Sequence, residues 1–256
     1  MDTLIGGFIA LSSVIKAESR EIKSIILDTE RKNRICSSSY HFPEKKQYAF
    51  IEEYIRASGV ECACSDGASF ADKTREEAYG GIAAYVGERK TKAISDILEK
   101  GNGFYLLIEG IEDPFNFGYV LRTAYACGVG GVLLPERNYF SSSDIVIRSS
   151  AGASELLDIA YYKSDDEVAS VLKAYGVTIA CTAKEKSKKG LPPNEIKTRP
   201  PLCVVIGGER RGISKTLAVN ADFIVTIDYK RSYAMSLSAS QAASIIIYET
   251  AKNIFT

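Results

Sequence analysis

Short apolar runs bounded by glycine, proline or charge alternate with longer stretches in which apolar residues recur every three or four positions. That alternation predicts an α/β chain. In the first third, residues 8–18 read as a helix with Ile9, Leu11, Val14 and Ile15 on one side, and IKSIILD (22–28) as a strand. Residues 44–59 read as a long helix with Tyr48, Ile51, Tyr54 and Ile55 at helical spacing, opened by Pro43 and stopped by Gly59. Strands follow at 60–64 and 80–86. These elements predict a small α/β sandwich over residues 1–90. The charged stretch 88–100 and Gly101-Asn102-Gly103 then make 91–103 a linker with a hinge.

From residue 104 the alternation is cleaner. Strands are predicted at 104–110, 131–135, 156–162, 177–182 and 222–228, with a further strand, glycine loop and helix start in 201–214. Helices are predicted at 117–127, after Ser141-Ser142-Ser143, after Ser164, and at 237–252, the serines serving as caps. Repeated βα units of this kind imply a mainly parallel sheet covered on both faces. The first strand of this part breaks at Asp113-Pro114, passes through a loop holding Asn116 and Gly118, and enters a helix carrying Arg122. A polar loop between an apolar strand and a helix is the usual site construction in open α/β sheets. Residues 184–201 hold four of the seven prolines and read as a basic loop. Gly128, Gly130 and Gly131 precede a strand rather than follow one, and no phosphate-loop pattern occurs, so neither a dinucleotide fingerprint nor a Walker loop is present.

Composition changes this picture little. The 256 residues are 46% hydrophobic and 25% charged, with 32 basic and 32 acidic side chains, so net charge points to no partner. Lys16, Arg20, Lys23, Arg31, Lys32 and Arg34 cluster in sequence. A solvated face is the simpler reading of them and an RNA-contacting patch the sharper one. Six cysteines include Cys181 and Cys203 in apolar runs, expected as buried free thiols in a reducing cytoplasm. Cys62 and Cys64 have no second pair, and the one histidine, His41, sits in a loop without a partner, so no metal is expected. The N-terminal apolar stretch carries Asp2 where a signal peptide would be basic and is read as a buried helix. No run reaches the roughly 18 apolar residues of a membrane span.

Three segments together resemble the SpoU (TrmH-type) family of RNA ribose 2′-O-methyltransferases, within the SPOUT superfamily. Asp113-Pro114-Phe115-Asn116-Phe117-Gly118 followed by Arg122-Thr123-Ala124 is similar to the family's D-P-x-N-x-G-x-x-x-R-T-A. Ile206-Gly207-Gly208-Glu209-Arg210-Arg211-Gly212-Ile213-Ser214 is similar to G-x-E-x-x-G-[LI]-S, and Ser236-Leu237-Ser238-Ala239-Ser240 to S-L-N-x-S. Residues 148–153 also resemble the family's connecting segment. The likeness is strong over 104–256 and weaker over the first ninety residues, which resemble a ribosomal-protein-like RNA-binding domain. It implies an α/β-knot fold with a C-terminal deep trefoil knot, a homodimer formed through the knot region and C-terminal helix, and S-adenosylmethionine as donor of a methyl group to a ribose 2′-hydroxyl of RNA. Ribosomal RNA is expected over transfer RNA.

The resemblance assigns Arg122, Asn116, Glu209 and Ser236 to catalysis, and Thr182, Ile206, Gly207, Gly208, Glu209, Ile227, Ser236, Leu237 and Ser238 to the cofactor. Without it, Arg122 would be a helix arginine in a surface ion pair, Asn116 a turn residue, Glu209 a helix-dipole partner and Gly207-Gly208 a tight turn. The closely spaced Ser240, Ala242, Ala243 and Ser244 of the last helix allow another helix to approach, in the core or across a dimer. Ser238 stands where the family has asparagine and Asp228-Tyr229 where it has Pro-Met, with 227–236 one residue longer. Ser238 motivates the alternative expectation of a catalytically weakened or inactive RNA-binding module.

Overall fold

The computed structural model describes residues 2–38, 43–74, 79–136, 143–183, 190–197, 199–208, 212–229, 231 and 237–255. The chain divides into two compact units, Met1–Lys90 and Thr91–Thr256.

The first unit runs β1 (Thr3–Gly6), α1 (Phe8–Ala17), β2 (Ile22–Asp28), α2 (Thr29–Ser37), α3 (Glu44–Ser58), β3 (Glu61–Ser65), α4 (Gly67–Thr74) and β4 (Ile82–Val86). Its sheet has the order β1-β4-β2-β3, with β2 and β3 parallel and the other pairs antiparallel. β2 occupies the residues its apolar run predicts. α3 also forms as predicted, with Gly59 supplying the left-handed cap at φ 68°. β1, α2 and α4 were not anticipated. α2 buries Ile35 alone, so it carries no apolar periodicity; it is started instead by Asp28, whose carboxylate accepts from the Arg31 N–H at 2.9 Å.

The basic cluster of the sequence does not become one face. Lys16, Arg20 and Lys23 lie near the start of β2, whereas Arg31, Lys32 and Arg34 belong to α2, beyond its other end. Arg20 is buried and donates to the Gly87 carbonyl at 3.4 Å, Lys23 pairs with Glu21 at 2.6 Å, and Lys32 pairs with Glu52. His41 lies outside the described residues.

The second unit contains α5 (Ile94–Lys100), β5 (Phe104–Ile108), α6 (Pro114–Ala126), β6 (Gly131–Pro135), α7 (Ser143–Ser149), α8 (Ala153–Leu156), β7 (Ile159–Tyr162), α9 (Asp165–Ala174), β8 (Thr178–Thr182), β9 (Leu202–Ile206), α10 (Lys215–Asn220), β10 (Phe223–Val225) and α11 (Ala239–Ile254). Residues 91–103, expected as a linker, thus contain α5, which buries Ile97 and Leu98 in this unit's core.

Among the described residues the sheet has the order β10-β8-β9-β5-β6-β7 and every pair is parallel. β5 and β9 lie at its centre. Phe104, Leu106 and Ile108 enter the core on one face, and Tyr105 and Leu107 the core on the other. Each such fully buried side chain stabilises the fold by about 1.5–3 kcal/mol. No helix among the described residues is long and apolar enough to cross a membrane.

One boundary corrects the sequence reading. Asn116 and Gly118 are not in a loop, because α6 already begins at Pro114. Asp113 caps it, its carboxylate accepting from the Asn116 N–H at 2.8 Å, and Pro114 sits in the first turn where its missing N–H costs nothing. The Asp-Pro pair that looked like a strand break is the helix start. Gly118 lets α6 press onto α7; a Cβ there would lie 1.9 Å from Ser149 Oγ.

Candidate active site

β5 is flanked by β6, to which the chain proceeds, and by β9, which arrives a hundred residues later. The loops leaving the carboxyl ends of β5 and β9 therefore diverge above the centre of the sheet, the place where open parallel sheets hold ligands. The Glu109 N–H donates to the Ile206 carbonyl at 3.0 Å and continues the pairing one step beyond the strands. Gly110 and Gly208 then meet backbone to backbone: a Cβ on Gly208 would stand 2.4 Å from the Gly110 carbonyl oxygen. The Gly207 N–H donates to Thr182 Oγ1 at 3.4 Å. Gly208 and Gly212 exchange main-chain bonds of 3.1 and 3.0 Å, with Gly212 at φ 68°. At the far end, the Ser214 N–H donates to both Glu109 carboxylate oxygens, at 2.9 and 3.0 Å, while Ser214 caps α10.

Thr182, Ile206, Gly207 and Gly208 are thus brought together at the ends of β8 and β9. Ile227 is half-buried against the core that contains β5. The Leu237 N–H donates to Tyr229 Oη at 3.1 Å, which ties the start of the last helix to the residues after β10. Ser238 caps α11 in a capping box: its hydroxyl accepts from the Gln241 N–H, and Gln241 Oε1 accepts from the Ser238 N–H, both at 3.2 Å. Glu209 and Ser236, expected in the site, lie outside the described residues, as do Arg210 and Arg211.

Burial pushes the Cys181 thiol, next to Thr182, up to about 12, and it also pushes up the Cys203 thiol in β9. Both stay protonated near neutrality, so neither supplies a thiolate nucleophile at this end of the sheet.

α6 and α11 pack side by side. Asn116 Oδ1 accepts from Ser240 Oγ at 2.7 Å, and further along both helices Thr123 Oγ1 lies 3.0 Å from Ser244 Oγ. The two helices therefore run parallel. Ser240 and Ser244 let α6 approach, so within the chain the small residues of the last helix serve packing.

Arg122 is not brought to Asn116. At about 100° per residue it lies a third of a turn around α6, on a stripe with Phe115, Tyr119 and Ala126. All four are exposed, Phe115 by 51% and Tyr119 by 48%. Arg122 makes no hydrogen bond or ion pair with a described residue. On α11 the matching stripe is Gln241, Ile245, Tyr248 and Lys252, with Tyr248 exposed by 56%. Because the helices are parallel and both right-handed, the two stripes open to the same side. One aromatic surface results, with Arg122 on it.

Glu109, which carries no motif, escaped the sequence reading. Tyr229 stood out there only as a departure from the family's Pro-Met, and Ser240 was read as a small packing residue although it closes the third motif.

The model of the SpoU rRNA Methylase family matches residues 103–248, which take in both loops, α6 and α11 as far as Tyr248. The chain belongs to this family. Among its relatives, a Staphylococcus saprophyticus protein named for the TrmH family of tRNA/rRNA methyltransferases is 32% identical over 172 residues, covering 67% of this chain and 64% of that protein. A Staphylococcus aureus protein of the same name is 30% identical over 176 residues, covering 67% and 69%. The chain thus spans about two thirds of these relatives' length. The fold matches the AdoMet-bound rRNA methyltransferase of Sinorhizobium meliloti with a TM-score of 0.77 at 21% identity, covering all of this chain and 88% of that one. It matches the SpoU methyltransferase AviRb of Streptomyces viridochromogenes, in complex with AdoMet, with a TM-score of 0.76 at 20% identity, covering 98% and 89%.

Proposed function

We propose that this protein transfers a methyl group from S-adenosylmethionine to a ribose 2′-hydroxyl of structured RNA, with ribosomal RNA favoured over transfer RNA. The observation that carries the reading is the pairing of the glycine loop after β9 with the Asn116 and Arg122 helix after β5, at the divergence point of a parallel sheet in a chain of this family. The trefoil knot implied by the resemblance belongs to the same proposal.

The residues present suit the cofactor. Gly207 and Gly208 let the loop close on Gly212 and Gly110, Ile227 and Leu237 are half-buried apolar groups, and Thr182, Ile206, Gly207, Gly208, Ile227, Leu237 and Ser238, with Glu209 and Ser236, are assigned to the cofactor by the resemblance. When bound, S-adenosylmethionine supplies an electrophilic methyl on a sulfonium. The chain's part is to place the hydroxyl in line and stabilise its developing charge. A guanidinium remains protonated below about pH 12 and cannot serve as base. Arg122 therefore binds the target's phosphate through its fork of N–H groups and stabilises the forming alkoxide, with phosphate or water taking the proton.

The same reading includes a homodimer. A second copy covers the surface of Phe115, Tyr119, Ile245 and Tyr248, a composition rich in the aromatic residues typical of interface cores. Since Arg122 opens onto that surface and away from Asn116, the Arg122 of each copy serves the other copy's site.

The test uses tritiated S-adenosylmethionine and total RNA from cells lacking the gene, followed by mapping of 2′-O-methyl positions. The wild type is expected to label RNA at defined riboses. Arg122→Ala is expected to lose on the order of 1,000-fold in rate while binding S-adenosylmethionine normally. Co-expression of Arg122→Ala with Asn116→Ala is expected to restore part of the activity, because one site of a mixed dimer is intact. Full activity in Arg122→Ala would sink the assignment, and RNA binding without labelling would leave a non-catalytic RNA-binding module.

A further inference from the structure

We infer that Glu109 is a positioning residue for the glycine loop, its carboxylate fixing the shape of that loop before S-adenosylmethionine enters. The inference rests on the methyl-transfer reading for the identity of the ligand, and on contacts within the chain for its substance.

The loop leaves β9 and returns to α10, so it has two arms. The first is Gly207-Gly208 and the second Gly212-Ile213-Ser214. One dipeptide at the exit of β5 grips both. Gly110 meets Gly208 backbone to backbone, and Glu109 reaches the other arm, where the Ser214 N–H lies 2.9 and 3.0 Å from its two carboxylate oxygens. Glu109 is itself held at the root of the first arm, its N–H donating to the Ile206 carbonyl at 3.0 Å.

The arms also touch each other. Gly208 and Gly212 exchange two main-chain bonds, and a Cβ on Gly207 would stand 2.7 Å from the Gly212 carbonyl carbon and 2.9 Å from the Ile213 nitrogen. These contacts form one narrow line. The second arm can turn about it, because Gly212, at φ 68°, has the wide backbone freedom of glycine. Ile213 seats that arm against the core by its side chain. Glu109 adds the polar contact that holds its main chain, off the line and two residues beyond Gly212.

α10 does not depend on this contact. Its start is secured by Ser214 itself, whose hydroxyl accepts from the Leu217 N–H at 3.3 Å and whose carbonyl accepts from the Ala218 N–H at 3.0 Å, and by the fully buried Leu217. The Ser214 N–H lies on the loop side of that residue, so the carboxylate acts on the loop. A ligand that enters a loop already in shape bears no cost of ordering it, and the loss of Glu109 therefore falls on binding. Once the cofactor saturates the protein, the loop is in shape with or without the clamp, and turnover is preserved.

The full chain is compared with Glu109→Ala and Glu109→Gln, the second keeping the length and one acceptor oxygen. Glu109→Ala is expected to raise the S-adenosylmethionine Kd about tenfold, as for a lost bond to a charged group, with kcat on total RNA at saturating cofactor and RNA affinity each changed by less than about twofold. Glu109→Gln is expected to recover most of that affinity. In hydrogen exchange the Ser214 amide is expected to lose protection in Glu109→Ala, while the Leu217 and Ala218 amides keep theirs. Ser214→Pro removes the same hydrogen from the other partner, at a φ of −62° that proline adopts, and Ser214→Ala controls for the lost cap. Ser214→Pro is expected to bind cofactor about tenfold more weakly than Ser214→Ala, and adding Glu109→Ala to it should cost less than about a further twofold. This pair carries the test if Glu109→Ala does not fold. A Kd within twofold of wild type in Glu109→Ala, a loss of kcat as large as the change in Kd, no recovery in Glu109→Gln, or a full second loss in the Ser214→Pro background would each overturn the inference. A wild type that binds no S-adenosylmethionine would overturn the methyl-transfer reading instead, and exchange at Ser214 would still decide whether Glu109 holds the loop.

Discussion

Both units place a glycine at the carboxyl end of a central strand, and they fill the space beside it differently. In the first unit, Gly81 bonds the end of β2 through its carbonyl and sits at φ 78°. A Cβ there would come within 2.7 Å of Tyr48 Oη, 2.9 Å of Arg31 Cδ and 3.2 Å of Asp28 Cβ. The chain's own side chains close that end. In the second unit, Gly208 is met by the backbone of Gly110, and the end of the sheet is lined by main-chain groups. A glycine signals close approach; what approaches it decides whether the place is core or site.

The largest test of this contrast is Gly208→Ala. The new methyl would collide with a carbonyl oxygen that cannot swing aside. S-adenosylmethionine affinity is expected to fall on the order of 100-fold, about 2.7 kcal/mol by calorimetry. Near-normal affinity would mean that the loop is not the cofactor's seat. Gly81→Ala should do the reverse. It combines a left-handed backbone with a clash and is expected to destabilise residues 1–90 by about 2–3 kcal/mol in hydrogen exchange of β2 and β4, with cofactor affinity unchanged.

The smallest effect concerns Tyr48, whose hydroxyl donates to the Gly80 carbonyl at 3.1 Å and whose ionisation burial pushes up to about 12 from the usual 10.0. Since the folded value is the higher one, its stabilisation is complete below pH 10 and disappears as pH rises through about 12. The first unit should lose up to about 2 kcal/mol across that window. Tyr48→Phe should remove this slope while costing about 1 kcal/mol at neutral pH for the lost hydrogen bond. Equal slopes in the two proteins would show that Tyr48 does not report the closed end.

The sequence disclosed what burial periodicity can disclose. β5 and β9 are buried on both faces and read as continuous apolar runs, so the parallel sheet was legible. α2 buries only Ile35 and α4 only Phe70 and Thr74, and neither leaves a periodic trace. At α6 the misreading was local: Asp113-Pro114 serves equally to break a strand and to begin a helix, and only the Asp113 to Asn116 bond distinguishes the two. The motif residues were legible as a set, but their facing was not. That Asn116 turns to α11 while Arg122 turns outward depends on which stripe of α6 the last helix covers, a contact between residues more than a hundred positions apart. Ser240 was hidden for the same reason, its meaning lying in a bond to another helix.

The clamp between Glu109 and Ser214 has a consequence for how such a protein can change over generations. The stretch 207–214 is moored at both ends, by Gly207 and Gly208 against Thr182 and Gly110, and by Ser214 against the Glu109 carboxylate. A span with fixed abutments can exchange side chains between Gly208 and Gly212 without disturbing the strands below. The sheet and the start of α10 therefore keep their places independently of the side chains at positions 210 and 211.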